Sequence, residues 1–154
     1  LEQSGGGGGL SRVFARPAWQ AGPPGVQNQF SNGARQLPDV SADADGRTGW
    51  AVALGGQLSE FGGTSASSPF WASSMLLIRQ YAQDQHAGRL GYVNPLLYRI
   101  ASTPQPFPPF RDVTRGGNRY YPATRGWDYS TGLGSPDVWN LARDIVGELR
   151  AGGR

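Results

Sequence analysis

The segment Gly62-Gly63-Thr64-Ser65-Ala66-Ser67-Ser68-Pro69 sets a serine where a nucleophile could act, and it runs into the apolar stretch Phe70 to Ile78. Two glycines allow the backbone a sharp approach that a Cβ would block. The start of the helix that follows offers free N–H groups and a partial positive charge, and both favour an oxyanion forming beside Ser65. The same pattern has a second reading, because Ser or Thr at a helix start commonly caps it. The local residues leave cap and nucleophile open. A nucleophilic serine also needs a base within hydrogen-bond reach. The single histidine, His86, falls about six turns along the predicted helix, roughly 30 Å from Ser65. That distance excludes a histidine triad within this chain, and His86 reads as a solvated residue at the helix C-terminus.

A second group is Asp112 and Asp128, two carboxylates on glycine-rich segments with many carbonyls between them. Calcium takes six or more oxygens in flexible geometry, which loops can supply. Taken alone, however, the pair reads better as turn-forming aspartates. Asp39, Asp43 and Asp45 alternate, so a strand would point them to one side. We assign them turn formation near Gly46 and capping of nearby N–H groups, not a metal or a proteolytic dyad.

The elements that must position these groups follow from composition and period. The length suits one domain or a large piece of one. With 24 Gly and 12 Pro, much of the chain must be turns and loops. The absence of cysteine excludes disulfides, zinc–thiolate sites and thiol catalysis. No apolar run is long enough to span a bilayer, and Leu1 does not open a signal peptide. A start without methionine reads as a processed or truncated chain. The net charge of +3 comes from arginines that are scattered, although Arg111, Arg115, Arg119 and Arg125 are loosely grouped. Neither a nucleic acid nor a membrane is expected as a partner.

Residues 4–36 show no sustained period and read as irregular. Within them the glycine run is either a flexible tail or a backbone that lies close to something. Strands are expected over 37–45, ending in a turn at Asp45-Gly46, over 50–54, closed by Gly55-Gly56, and over 58–61. A helix is expected from Ser65 to Gln85, buried on most sides early and amphipathic late. Pro69 falls in its first two turns, where a missing N–H costs little. Asn94-Pro95 predicts a short helix over 96–101 with an Asn cap. Residues 110–135 have no helical period. Ser135-Pro136-Asp137 caps a last helix to about Leu149, with Val138, Leu141, Ile145 and Leu149 on one face.

Five motifs, in this order, resemble the sedolisin family of serine-carboxyl peptidases. They are Ser4-Gly5-Gly6-Gly7 leading to Phe14-Ala15-Arg16-Pro17-Ala18-Trp19-Gln20; Pro38 to Asp45; Gly62-Gly63-Thr64-Ser65-Ala66; Phe110 to Asn118; and Gly126-Trp127-Asp128-Tyr129-Ser130-Thr131-Gly132-Leu133-Gly134. The resemblance covers nearly the whole chain. It implies an α/β, subtilisin-like three-layer fold with a mostly parallel sheet, of which residues 1–154 form the C-terminal portion. It implies that Ser65 is the nucleophile, that a glutamate replaces histidine as base, that an aspartate orients it, and that a second aspartate helps form the oxyanion hole. Those three groups precede the glycine run in the family, and Glu2 and Glu60 stand in the wrong motifs to replace them. The resemblance also implies a calcium ion. Asp112 and Asp128 match its carboxylate ligands, Val113 a carbonyl ligand, and Thr124 and Gly126 two carbonyls that the family takes from glycines. The leading expectation is the serine-bearing part of a secreted, acid-active endopeptidase of peptides or proteins. The upstream half of the same domain would be its partner, and the isolated chain would be inactive. The alternative is a non-catalytic peptide- or calcium-binding domain of the same ancestry.

Overall fold

Apolar residues at helical spacing build the core. The structure, a computed structural model, describes residues 5–152. Its helices are α1 (Thr64–Asp84), α2 (Asn94–Ser102) and α3 (Val138–Gly152), and its strands are β1 (Gly9–Ala15), β2 (Ala34–Leu37), β3 (Trp50–Leu54), β4 (Gln57–Phe61), β5 (Phe110–Arg111) and β6 (Ser135–Pro136). Both α1 and α2 pack on α3. Leu141, Ala142, Ile145 and Val146 of α3 are buried, with Val138 and Leu149 beside them. Helix α2 gives Leu97, Tyr98 and Ile100, and the segment after β5 gives Trp127, Tyr129 and Leu133. Fully burying one such side chain stabilises the fold by about 1.5–3 kcal/mol. The expected face of α3 and the positions of all three helices agree with the sequence reading.

Helix α1 differs from expectation. It buries one stripe, Ser67, Ser74, Ile78 and Ala82, flanked by Trp71, Met75 and Tyr81. Its opposite face is open, with Leu76 at 65% and Leu77 at 63% exposure. The early all-round burial predicted for it is therefore not found, because among the described residues α3 and the run over 41–43 cover one side of this helix and leave the Leu76–Leu77 side open. The caps are also partly different. Asp137 caps α3 as predicted, its Oδ1 accepting from Asn140 N at 3.0 Å. Helix α2 has Val93 at its N-cap with no side-chain cap, since the Asn94 amide donates instead to Asp39 Oδ2 at 2.7 Å.

Among the described residues every ladder is antiparallel: β1 with β2, β3 with β4, β5 with β6. The mostly parallel sheet expected from the resemblance is not formed within them. The predicted strand over 37–45 is an extended run with a turn at its end and no ladder beyond Leu37. The reason is where its carbonyls go. Ser41 O accepts from Trp71 Nε1 at 2.9 Å, Ala42 O and Asp43 O from Ser67 Oγ at 3.2 and 2.9 Å, and Ala44 O from Gly63 N at 2.7 Å. Four successive acceptors are spent on the start of α1, leaving no ladder to make.

Residues 4–36 are not wholly irregular either. β1 pairs with β2 through Gly9↔Leu37, Leu10↔Gln36 and Ala15↔Ala34, with a register break that hides the alternation from the sequence. The glycine run before it lies close to other backbone. A Cβ on Gly8 would stand 1.6 Å from Tyr129 O, and one on Gly5 3.1 Å from Asn118 Cα. Leu1, Glu2 and Ser4 lie outside the described residues.

Asp144 on α3 is 8% exposed, and its Oδ2 is buried without a hydrogen-bond partner. Burial pushes its carboxyl above the usual carboxylate range; Arg143 opposes this and Glu148 adds to it. A carboxyl raised on folding destabilises the folded state once pH rises through the window between the unfolded and folded values. Asp144→Asn should therefore raise Tm at neutral pH and leave it unchanged at about pH 3, below the unfolded value. Thermal melts at the two pH values check this.

Candidate functional site

The β3–β4 hairpin delivers the chain to Gly62, and three glycines let it pass. A Cβ on Gly49 would meet Phe61 O at 2.2 Å, and one on Gly62 would meet Gly46 N at 2.5 Å. Gly63 is the N-cap of α1 at φ 86, and no side chain caps the helix. The alternative of Ser65 as a cap is thereby set aside. Ser65 is the second residue of α1 and is exposed. Ala66 N is the first amide of the helix to bond back, to Gly63 O at 3.0 Å. The amides of Thr64 and Ser65 are left open at the positive end of a 21-residue helix, where an oxyanion is favoured. Pro69 inside α1 has no N–H for the Ser65 carbonyl four residues back.

Among the described residues no base accompanies this hydroxyl. α1 is continuous to Asp84, so His86 stands about 30 Å away along the axis, exposed beyond the C-terminus. Glu60 is exposed on β4 opposite Ala51. Among the described residues no carboxylate or imidazole is hydrogen-bonded to Ser65.

The three early aspartates separate into two roles. Asp43 Oδ1 accepts from Asp45 N at 3.0 Å and from Thr48 Oγ1 at 3.1 Å. Asp45 accepts from Arg47 N at 2.9 Å and from its guanidinium at 2.6 and 3.1 Å. Hydrogen bonding to Arg47 lowers the Asp45 carboxyl to about 2. These two form the turn, as predicted. Asp39 does something else. It is an anionic hub that pairs with Arg35 and accepts from Asn94 Nδ2 at 2.7 Å and Tyr98 OH at 2.9 Å. Burial, then the Asp39 charge, holds the Tyr98 hydroxyl well above the ordinary phenol range. Gln20 Nε2 donates to Tyr98 OH at 2.9 Å and to Gln36 O at 2.7 Å, and Tyr129 OH donates to Gln36 Oε1 at 2.6 Å. The sequence reading missed Gln20, Arg35, Gln36, Asn94 and Tyr98. They span almost eighty positions, and no spacing rule connects them.

Asp112 and Asp128 reach one short turn from two sides. Asp112 Oδ2 accepts from Gly126 N at 2.8 Å. Asp128 Oδ2 accepts from Thr124 N at 2.8 Å, and its Oδ1 from Ser130 N and Thr131 N, both at 2.8 Å. Asp128 is 3% exposed, whereas Asp112, Val113 and Thr124 are exposed. Among the described residues no three His, Asp or Glu side chains gather around one point, and Asp112 and Asp128 are the only carboxylates in this set. The donor chemistry still fits a hard cation. Asp112 Oδ1 and the carbonyls of Val113, Thr124 and Gly126 accept no hydrogen bond among the described residues. They are oxygens without partners on loops, the kind that calcium uses.

The chain is similar to known proteins. The chain is 40% identical over 141 residues to kumamolisin of Bacillus sp. (strain MN-32), covering 84% of the chain and 23% of that protein. It is 37% identical over 144 residues to sedolisin of Pseudomonas sp. (strain 101), covering 90% and 22%. Among solved structures it is similar to Pseudomonas sedolisin, a serine-carboxyl proteinase complexed with two molecules of pseudo-iodotyrostatin. That match has a TM-score of 0.75 and 34% identity, and covers 96% of this chain and 37% of the other. The chain thus spans under a quarter of the length of these two curated relatives. No protein-family model matches it. Among the described residues no helix is long and apolar enough to cross a membrane.

Proposed function

The chain belongs to the sedolisin family of serine-carboxyl peptidases, and from that premise we propose that it is the serine-bearing portion of one secreted endopeptidase domain. The observation that carries the reading is Ser65 itself: exposed, uncapped and set at the open amides of α1 behind a glycine turn. In this reading the peptide C–N bond breaks, the amine leaves and water later releases the acyl group, all after attack on the carbonyl by the Ser65 hydroxyl. Its proton passes to a glutamate that an aspartate orients. The oxyanion is met by a further aspartate and by the amide end of α1. All three carboxyl groups come from a segment outside these residues. A carboxylate base works in acid, where an imidazole would be protonated and idle. The test is complementation. Joined to a sedolisin segment bearing those carboxyl groups, residues 1–154 should hydrolyse a peptide at acid pH, and Ser65→Ala should not. Folding without turnover would favour the alternative, a non-catalytic peptide- or calcium-binding domain.

The partner segment has a second signature. Leu54 and Leu58 on the β3–β4 hairpin are 71% and 75% exposed, and Leu76 and Leu77 stand open on α1. Exposed apolar faces and unpaired strand edges favour association. The chain alone should self-associate with rising concentration in sedimentation runs, and the complementing segment should suppress this. A monomer at all concentrations would remove the support for a covering segment.

A calcium ion completes the proposal. Asp112 and Asp128, with the carbonyls of Val113, Thr124 and Gly126, would hold it. Its role is structural, tying the loop over residues 111–134 to the core.

A further inference from the structure

We propose that Ser67 and Trp71 are positioning residues that hold Ser65 in place, an inference that rests on Ser65 being the nucleophile. A helix end frays unless its first turn is tied down. The usual tie, a side-chain cap, is missing here because the N-cap is Gly63. Packing does little for this turn either, since Thr64, Ser65 and Ser68 are exposed. What holds it is a latch to the extended run over 41–44. Gly63 N donates to Ala44 O at 2.7 Å, two residues before Ser65. Two residues after it, Ser67 Oγ lies 2.9 Å from Asp43 O and 3.2 Å from Ala42 O, and shares its one proton between them. One turn further, Trp71 Nε1 donates to Ser41 O at 2.9 Å. Ser65 therefore sits between two anchors on the same strip of backbone.

That strip is itself fixed. Ser41 N donates to Gly134 O at 3.1 Å, and Asp39 O accepts from Leu133 N at 2.8 Å. Gly132 has no room for a Cβ, which would stand 2.3 Å from Asp39 O. The Asp39 carboxylate is pinned by Arg35, Asn94 and Tyr98. The latch thus refers the position of Ser65 to the core and not to its own exposed turn. Ser67 and Trp71 touch neither substrate nor reacting atoms. They act through the backbone, and a displaced nucleophile of about 1 Å can lower a rate about a hundredfold.

Three substitutions separate this role from general packing. Trp71→Phe keeps an aromatic ring and removes only the Nε1 donor. Ser67→Ala removes the hydroxyl, and Ser67→Thr keeps it. In the 154-residue chain, amide hydrogen exchange at Ala66, Ser67 and Ser68 should rise about tenfold in Trp71→Phe and Ser67→Ala, with Ile78 and Ala82 unchanged. In the completed domain the same two variants should lower kcat about ten- to a hundredfold with KM nearly constant, and Ser67→Thr should restore both readouts. Unchanged exchange at 66–68, a uniform rise along all of α1, or faster local exchange with kcat unaltered would each overturn the proposal. If the completed domain with Ser65 intact has no turnover, the nucleophile reading fails separately. The exchange data then still decide whether the latch holds the turn: a local rise supports it, and no change removes it.

Discussion

Residues 1–154 alone should hydrolyse no peptide at any pH, and in the completed domain Ser65→Ala should remove about a million-fold of kcat, while His86→Ala changes it less than twofold. The first expectation follows from the proton. An alcohol is a weak nucleophile at its own pKa, and an unassisted hydroxyl at a helix start gains only electrostatic help for the oxyanion. No carboxylate or imidazole among the described residues bonds to Ser65. The expectation for His86 follows from length, since an unbroken α1 places it about 30 Å from Ser65. Its backbone sits at φ 51 beyond the helix end, a place for a terminating residue. The measurement is turnover of a peptide series by the pure chain and by the completed domain across acid and neutral pH. Inhibitor-sensitive hydrolysis by the pure chain that vanishes in Ser65→Ala would sink the first expectation. A large loss in His86→Ala would show that α1 does not keep the two residues apart.

What was legible in the sequence was local. The apolar period placed α1 and the face of α3, the Asn94-Pro95 start signal placed α2, and the glycine pairs marked the break between β3 and β4 and the turn before Ser65. Asp43 and Asp45 turned the chain near Gly46 as their types suggest. The misreadings concern what lies across a segment. Residues 37–45 have strand composition, yet whether they join a ladder depends on who takes their carbonyls, and Ser67 and Trp71 take them from some thirty positions away. Asp39 belongs by alternation with Asp43 and Asp45, but its partners Asn94 and Tyr98 arrive from α2. The outer face of α1 reads as core because Leu76 and Leu77 are apolar, and a sequence states what a side chain prefers without stating what is there to cover it.

The same distinction explains the glycine run. Five consecutive glycines suit a flexible linker by composition. Here Gly8 approaches Tyr129 O so closely that any side chain would collide. The strand that follows, the Tyr129 region and Asn118 thereby share one close-packed seam, to which Asn118 Nδ2 adds a bond to Tyr129 O at 3.2 Å. Asp128 lies one residue from that seam, so its loop and the β1 entry are stabilised together.

Asp128→Ala should be the most damaging single change in this loop, with or without metal, and calcium should raise the Tm of the native chain but not of Asp112→Asn. The two aspartates do different amounts of work. Asp128 is buried and takes three main-chain N–H groups at 2.8 Å, and leaving such donors without acceptors costs about 1–3 kcal/mol each. Some of that loss is recovered by water at the exposed Thr124, so about 3–5 kcal/mol is expected in total. At ~2–4 °C per kcal/mol for a chain of this size, that lowers Tm by roughly 6–20 °C. Because the loss needs no metal, Asp128→Ala by itself cannot report on calcium. Asp112 can. It is exposed, it accepts one N–H from Gly126, and Asp112→Asn keeps an oxygen for that bond while removing the charge. A calcium ion at a hundred times its Kd stabilises the folded chain by about 2.7 kcal/mol, which is a rise of roughly 5–10 °C. The rise should fade in acid as protons compete for the carboxylates. Calorimetry with and without calcium, on the native chain and Asp112→Asn, reads both effects. A native Tm that ignores calcium would leave Asp112 and Asp128 as turn-forming residues and withdraw the metal.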